Sequence, residues 1–272
     1  MAMFGDDLQK FGTPWLYAPR QPAGLWVALG LWLAIVATFF ILQAIGALTV
    51  VGLFLGGDFA NERLVTKGAV IGSLPAAILA AWLVWRLSKV WGGIPREILA
   101  LRKPELGWLG WLLIVGGFLI GFYIVMMTVV TVFQIDIEQY LPGPDGESPS
   151  TGSAGAMKEA MFDLANEPFL FWLAFPAIAI GAPLIEELIF RGYLFSALAT
   201  SRAGLSGATL ITTSLWSLLH ITEPWFAIGM IFVMGLVLSA LLIRFGSIWL
   251  TMACHAAWNG ANTLTLFLAL QP

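Results

Sequence analysis

The chain has 272 residues, of which 59% are hydrophobic and only 11% are charged. Soluble domains carry roughly 25% charged residues, so this composition excludes an ordinary soluble protein and predicts an integral membrane protein. The formal net charge of −3 offers no basic surface for nucleic acid, and the single cysteine, Cys254, excludes an internal disulfide.

Three hydrophobic runs predict three membrane-spanning helices in an N-terminal region, residues 1–133. They cover residues 24–55, 68–85 and 108–133. The first run has no charged residue over 32 positions, which is more than a ~30 Å hydrocarbon core needs at ~1.5 Å per residue. We therefore expect this helix to tilt, or to break near Gly46 or Gly52.

The segment from residue 134 to residue 167 is predicted to be a flexible loop outside the cytoplasm. It is acidic, and its centre, residues 142–153, is rich in proline, glycine and serine. Such composition disfavours regular structure. Residues 156–166 have the pattern of a short amphipathic helix at the membrane surface.

Four further hydrophobic runs predict a second membrane region, residues 168–272. They cover residues 169–200, 204–221, 225–243 and 247–268. The first of them is again long for one straight crossing, and Pro176 and Pro183 are expected to kink it. The predicted fold is an all-α bundle of about seven transmembrane helices, or eight if the first run of the chain is broken.

The basic residues predict the orientation of the bundle. On the predicted topology, ten of the 13 Lys and Arg residues fall on one side of the membrane, five of them in the loop at residues 86–106. Cytoplasmic loops are enriched in Lys and Arg, so the N-terminus is predicted to be cytoplasmic. No eukaryotic targeting signal is evident, and we expect a bacterial cytoplasmic membrane.

Three charged side chains lie inside the fourth hydrophobic run. Glu187 and Arg191 are four positions apart, close enough on one helical face to form an ion pair. Glu186 is rotated by about 100° around the helix and has no evident local partner. Charged groups in hydrocarbon are costly and usually functional, so the surroundings of Glu186 indicate where a site would be.

The only two histidines of the chain lie in later hydrophobic runs. Glu186 is 17 residues before Ala203, in the turn between two spans, and His220 is 17 residues after it. In an antiparallel hairpin both would lie at the same depth, about 25 Å from the turn. His255 and Asn259 are one helical turn apart on one face. Each residue alone would more often serve helix packing, yet together they are compatible with one buried polar site.

Three motifs carry a resemblance to a known family. They read Glu186-Glu-Leu-Ile-Phe-Arg191, Trp216-Ser-Leu-Leu-His220 and His255-Ala-Ala-Trp-Asn259. In this order the chain resembles the CPBP (Abi) family, which includes CAAX prenyl protease 2, the type II CAAX endopeptidase, and lysostaphin-resistance-protein-A-like proteins. Trp216 stands where the family usually has Phe, which keeps an aromatic wall but changes the shape of the pocket.

The resemblance implies an intramembrane endopeptidase whose last four helices surround a polar catalytic cavity. It further implies that Glu186 and His220 activate a water molecule, while His255 and Asn259 stabilise the oxyanion. Glu187 and Arg191 are then a structural pair, and Trp216 is a supporting residue. Hydrolysis of an amide needs such a base and such donors.

Metal dependence is left open by the sequence. The favoured mechanism uses no cofactor, but Glu186, His220 and His255 would also make a His₂Glu set like those of catalytic zinc sites. The substrate is expected to be a membrane-associated peptide or protein, cut as in CAAX-type C-terminal processing. A catalytically silent scaffold or regulator and a proton-coupled transporter are the alternatives.

Overall fold

The computed structural model describes residue 17, residues 20–136 and residues 152–269; for residues 152–157 it describes the backbone alone. Every regular element in this part of the chain is a helix, which confirms the predicted all-α class. Most of the predicted flexible centre, residues 142–153, lies outside the described residues.

The helices are numbered α1 to α9 in chain order. They cover Leu25–Phe54 (α1), Glu62–Leu87 (α2), Pro95–Ile98 (α3), Trp108–Val132 (α4), Gly152–Asn166 (α5), Pro168–Ala199 (α6), Gly204–Leu218 (α7), Trp225–Phe245 (α8) and Ile248–Ala269 (α9). A single 3₁₀ turn, Val90–Gly92, lies between α2 and α3.

Five of these helices, α1, α2, α4, α6 and α8, are long and apolar enough to cross a membrane. This confirms an integral membrane helix bundle. Helix α7 has 15 residues, or about 22 Å, and ends earlier than its predicted run. Helix α9 has 22 residues but carries several polar side chains, including His255, Asn259 and Asn262. The count of seven spans stays a prediction.

Helix α1 is continuous from Leu25 to Phe54, so the break considered near Gly46 or Gly52 is absent. Gly46 instead allows a close approach between α1 and α2, because a Cβ atom there would lie 2.8 Å from the carbonyl oxygen of Gly72. Small residues at such crossings let helix backbones pack directly against each other in a membrane.

The described residues pack as two compact units. The first comprises the described residues within Met1–Ile35, Trp82–Val125 and Glu186–Ala257, and the second those within Val36–Ala81, Met126–Ile185 and Trp258–Pro272. Several helices therefore contribute to both units. The division into residues 1–133, 134–167 and 168–272 stays a prediction.

In the first unit, the C-terminal half of α6 is the core helix. Its residues 187–198 are buried without interruption. A helix that is apolar on nearly all sides is expected to be enclosed by others. Tyr17 and Trp32 pack edge-on against Phe195 and Phe190 of α6. The charged pair of this helix is thus surrounded by protein.

The second unit joins α2 to α5 and to the start of α6. Arg63 contacts Asp163 through two hydrogen bonds, of 2.8 and 2.5 Å, and Lys67 pairs with Glu167. Both basic residues lie within α2, which begins at Glu62, six residues before its predicted start. Helix α5 likewise begins four residues before the predicted amphipathic helix.

Helix α6 contains two π-helical segments, Ala177–Gly181 and Leu188–Leu194. The first follows Pro176, whose ring lacks an N–H and clashes with the carbonyl of the preceding turn. A wider π turn is one way to accommodate such a residue, and π turns occur frequently at functional sites. Pro183 lies in the α-helical segment between them, Ala182–Glu187.

Candidate functional site

Helix α6 presents two adjacent glutamates to different surroundings. Glu187 and Arg191 are fully buried, and Nη1 of Arg191 donates a hydrogen bond to Oε1 of Glu187 over 3.1 Å. The predicted pairing of these two residues is therefore present in the structure. Burying a carboxylate costs several kcal/mol unless it is paired, and Arg191 supplies the paired charge.

Glu186 faces a more open environment than its neighbour. About 23% of its side chain is exposed, whereas the side chain of Glu187 is fully buried. The indole Nε1–H of Trp216 donates a hydrogen bond of 2.6 Å to Oε2 of Glu186. That bond fixes one carboxylate oxygen, and the partial exposure leaves room for water or a substrate group at this carboxylate.

His255 of α9 lies between the two glutamates. Its Nδ1 is 3.1 Å from Oε1 of Glu187, and its Nε2 is 3.9 Å from Oε2 of Glu186. An ionised carboxylate only accepts hydrogen bonds, so we assign the Nδ1 proton to the bond with Glu187. In the neutral ring Nε2 then carries a lone pair, and it can donate a hydrogen bond only when the ring is protonated.

Trp216 of α7 connects these residues to each other. Its ring lies 4.0 Å below the guanidinium carbon of Arg191, a favourable cation–π arrangement. The same ring packs edge-on against His220 at 5.7 Å and against His255 at 5.2 Å, measured between ring centroids. The tryptophan thus contacts a glutamate, an arginine and both histidines.

His220 lies beyond the end of α7, in the turn that follows Leu218. Its Nδ1 is 3.1 Å from the carbonyl oxygen of Trp216, which is an acceptor, so the ring donates through Nδ1 and leaves Nε2 free. The 17-residue spacing predicted that His220 and Glu186 lie at the same depth. In the structure Glu186 accepts a hydrogen bond from Trp216, one turn before His220.

Asn259 lies one helical turn after His255 on α9 and belongs to the second unit. Its Nδ2 donates a hydrogen bond of 3.3 Å to the carbonyl oxygen of Ile178. That bond uses one of the two hydrogens of the amide NH₂ group, which leaves the other as a donor. A role for Asn259 with the oxyanion stays a prediction.

The alternative metal site was Glu186, His220 and His255. Among the described residues, no group of three or more His, Cys, Asp or Glu side chains is arranged to hold a metal ion. Glu186 and His255 are neighbours, but His220 is connected to them through the ring of Trp216. The arrangement does not fit a three-ligand metal site, and dependence on a metal stays untested.

The contribution of Trp216 was not predicted from the sequence beyond an aromatic wall. The signal was the replacement of Phe by Trp, since a buried indole N–H usually needs an acceptor. Few polar residues lie inside the helices of this chain, so the two glutamates were the evident candidates to accept a hydrogen bond from the indole N–H. The structure identifies Glu186 as that acceptor.

Comparison with known proteins finds one similarity. Residues 168–261 match the family model described as Type II CAAX prenyl endopeptidase Rce1-like. No curated protein and no solved structure matches the chain. The match begins at the first residue of α6 and ends within α9, so it includes all three motifs and confirms the family resemblance.

Proposed function

Because residues 168–261 belong to the type II CAAX prenyl endopeptidase family, we propose that this protein is an intramembrane endopeptidase that cleaves a membrane-associated peptide or protein near its C-terminus. The observation that carries the mechanism is the contrast between two adjacent carboxylates. Glu187 is enclosed with Arg191 and His255, while Glu186 remains partly exposed. Different environments for neighbouring carboxylates are how proteins assign them different roles.

Glu186 is the general base in this proposal. Its carboxylate accepts a proton from a water molecule at Oε1, while Oε2 is held by the Nε1–H of Trp216. A base must lie within hydrogen-bond reach of the proton that it removes, and fixing one oxygen directs the other. Glu187 is unsuited to this role because its side chain is fully buried and its Oε1 already accepts hydrogen bonds from Arg191 and His255.

The reaction then proceeds in two steps. As Glu186 takes the proton, the water oxygen forms a bond to the carbonyl carbon and the carbonyl oxygen becomes an oxyanion. When the tetrahedral intermediate collapses, the C–N bond breaks and the leaving nitrogen receives a proton, giving a carboxylate and an amine. The protonated Glu186 can supply that proton directly, or Nε2 of His220 can relay it.

The oxyanion is stabilised by His255 in its protonated form, through Nε2–H, with Asn259 as the second donor expected from the family motif. Oxyanion donors act best when they are preorganised. Glu187 provides this for His255 because it fixes Nδ1 and hence the orientation of the ring. Glu187 is therefore a positioning residue, which acts on the reaction through His255.

The test is a cleavage assay with purified protein and peptides that differ only in whether a C-terminal cysteine is prenylated. Glu186→Gln keeps the size of the side chain but cannot take the proton, so we expect cleavage at least about 100-fold slower with folding retained. Glu62→Gln, the same change at an exposed position on α2, is the matched control and should cleave normally. Asn259→Ala should slow cleavage by ~10²–10³-fold.

Three outcomes would contradict parts of this proposal. No cleavage of any membrane peptide, together with function that survives Glu186→Gln, would favour a scaffold or regulator. Proton-coupled uptake that depends on Glu186 would favour a transporter. One zinc ion per chain, lost with activity on chelation and restored with it, would replace the metal-free mechanism by one in which zinc activates the water.

A further inference from the structure

A polar cavity lies in the first unit, apart from the residues around Glu186. Its volume is about 230 Å³, and the described residues that line it are Arg20, Arg96, Glu97 and Arg102. Three of these residues precede α4, in or just after the short helix α3, and Arg20 precedes α1. None of them belongs to the three motifs of the family, and the proposed protease mechanism does not use them.

The charges of this cavity do not balance. Arg20 forms an ion pair with Glu97, with 3.4 Å between Nη1 and Oε2. Among the described residues that line the cavity, that pair uses the one carboxylate and leaves the guanidinium groups of Arg96 and Arg102 without an opposing charge. The three positive groups and one negative group that the described residues contribute sum to +2, which favours an anion.

Arg102 is the most constrained of the three arginines. Its Nε is buried and makes no hydrogen bond to any described residue. Its backbone is fixed at both ends of the residue, because its N–H donates to the carbonyl of Ala100 over 2.8 Å and its carbonyl accepts from Oγ of Ser247 over 2.5 Å. A buried donor without a partner is costly, whereas a fixed backbone reduces the entropy lost when a ligand binds.

We propose that this cavity binds a phosphate group, through Arg96 and Arg102. Guanidinium groups recognise phosphate oxygens with two parallel hydrogen bonds, so two unopposed arginines suit this anion well. Drug-sized ligands occupy pockets of ~300–1,000 Å³, and the smaller volume here suits a phosphate with the rest of its molecule outside. The source is either a phospholipid headgroup or free phosphate, since the cavity recognises the chemistry that both share.

Three variants test the assignment. Arg96→Gln and Arg102→Gln each remove one guanidinium from the lining, and Arg96 is exposed, so its replacement should not impair folding. Lys103→Gln removes the same charge at the neighbouring exposed position, which does not line the cavity. This control separates a phosphate site from general attraction between a basic loop and an anion.

The full-length protein is purified in a maltoside detergent, and thermal unfolding is followed in two titrations. One uses inorganic phosphate, with acetate at equal ionic strength as the control anion. The other uses dioleoyl phosphatidic acid, with dioleoylglycerol as the same lipid without phosphate. We expect a saturable rise of Tm with at least one of the two phosphate compounds and little change with the controls. The apparent affinity should fall about tenfold or more in Arg96→Gln and in Arg102→Gln.

The two titrations identify the source. A saturable rise of Tm with phosphatidic acid alone identifies the ligand as a lipid headgroup. A saturable rise with inorganic phosphate alone identifies it as soluble phosphate, and a rise with both means that the site accepts either source. The proposal is overturned if neither phosphate compound gives a saturable rise of Tm, or if acetate or dioleoylglycerol raises Tm as much. It is also overturned if Lys103→Gln weakens binding as much as Arg96→Gln does.

Discussion

Glu186 and Glu187 are neighbours in the chain, yet their carboxylates meet different partners. One residue corresponds to about 100° of rotation on a helix, which directs Glu187 towards Arg191 and Glu186 towards Trp216. Because Glu187 also contacts His255, the buried glutamate connects the structural pair to a proposed catalytic ring. The two carboxylates can therefore be tested separately.

Glu187→Gln should lower stability as well as activity. Removing one partner of a buried ion pair leaves an uncompensated charge, here that of Arg191, at a cost of ~3–5 kcal/mol. Thermal unfolding in detergent should show the loss directly. Cleavage should also fall, because the ring of His255 loses the acceptor for its Nδ1–H. Unchanged stability with abolished cleavage would instead make Glu187 the base and reverse the assignment.

Two replacements of Trp216 should distinguish the contribution of its aromatic ring to stability from that of its N–H group. Trp216→Phe keeps an aromatic ring near Arg191 and the histidines but loses the hydrogen bond to Glu186. A hydrogen bond to a charged group contributes at most about 1.5–3 kcal/mol to stability, and the carboxylate here is partly exposed. Trp216→Ala also removes the buried ring, for which ~3–5 kcal/mol is usual. Unfolding measurements should rank wild type above Phe and Phe above Ala. Equal losses for Phe and Ala would show that the ring contributes little.

At the scale of the helices, α8 packs closely against the charged pair through Gly235. A Cβ atom at this position would lie 2.6 Å from Cγ2 of Thr213 and 3.0 Å from Nη2 of Arg191. The first distance is shorter than real Cβ contacts, so either α8 or its neighbours would have to move. The absence of a side chain at Gly235 thus helps to position the arginine.

Gly235→Ala should consequently destabilise the protein by ~1–3 kcal/mol, the usual cost of overpacking. Gly229→Ala on the same helix is the matched control, because its Cβ would meet nothing within 4 Å. There the alanine should be neutral, or stabilising by ~0.5–1 kcal/mol through its better helix propensity. Unfolding of the two variants side by side gives the comparison. An equal response of both would mean that contact with Arg191 is not limiting.

At the scale of the whole molecule, contacts between distant segments agree with the predicted sides of the membrane. Ile248 at the start of α9 donates a hydrogen bond to the carbonyl of Ala100, and both are predicted to lie at the cytoplasmic end. Arg63 of α2 contacts Asp163 of α5, and both are predicted to lie at the opposite end. These contacts fix which segments share a side, while the absolute orientation stays a prediction.

Single cysteines should establish that orientation. Glu62 and Lys103 are exposed and are predicted to lie outside and inside the cell, respectively. The native Cys254 is fully buried and should not react. In intact cells, a membrane-impermeant maleimide should label Glu62→Cys, whereas Lys103→Cys should react only after permeabilisation. The reverse pattern would place the N-terminus outside the cytoplasm.

The sequence by itself determined the class of the fold and most helix positions, because hydrophobic runs and their interruptions are local signals. It also carried the family resemblance that the family model matches over residues 168–261, since the motifs of residues 186–191, 216–220 and 255–259 are short and local. It predicted the Glu187–Arg191 pair for the same reason, because four positions on one helix fix that distance.

Only the tertiary structure decided which partners meet across helices. Equal spacing from a turn predicted the same depth for Glu186 and His220 but not rotation or helix ends, so it did not predict that Trp216 would bond to Glu186. The bond from His255 to Glu187 joins positions 68 residues apart. Arg96 and Arg102 line one cavity, and the loop that carries Arg102 is fixed by Ser247, just before α9. Such contacts depend on how side chains pack between helices, which no local pattern encodes.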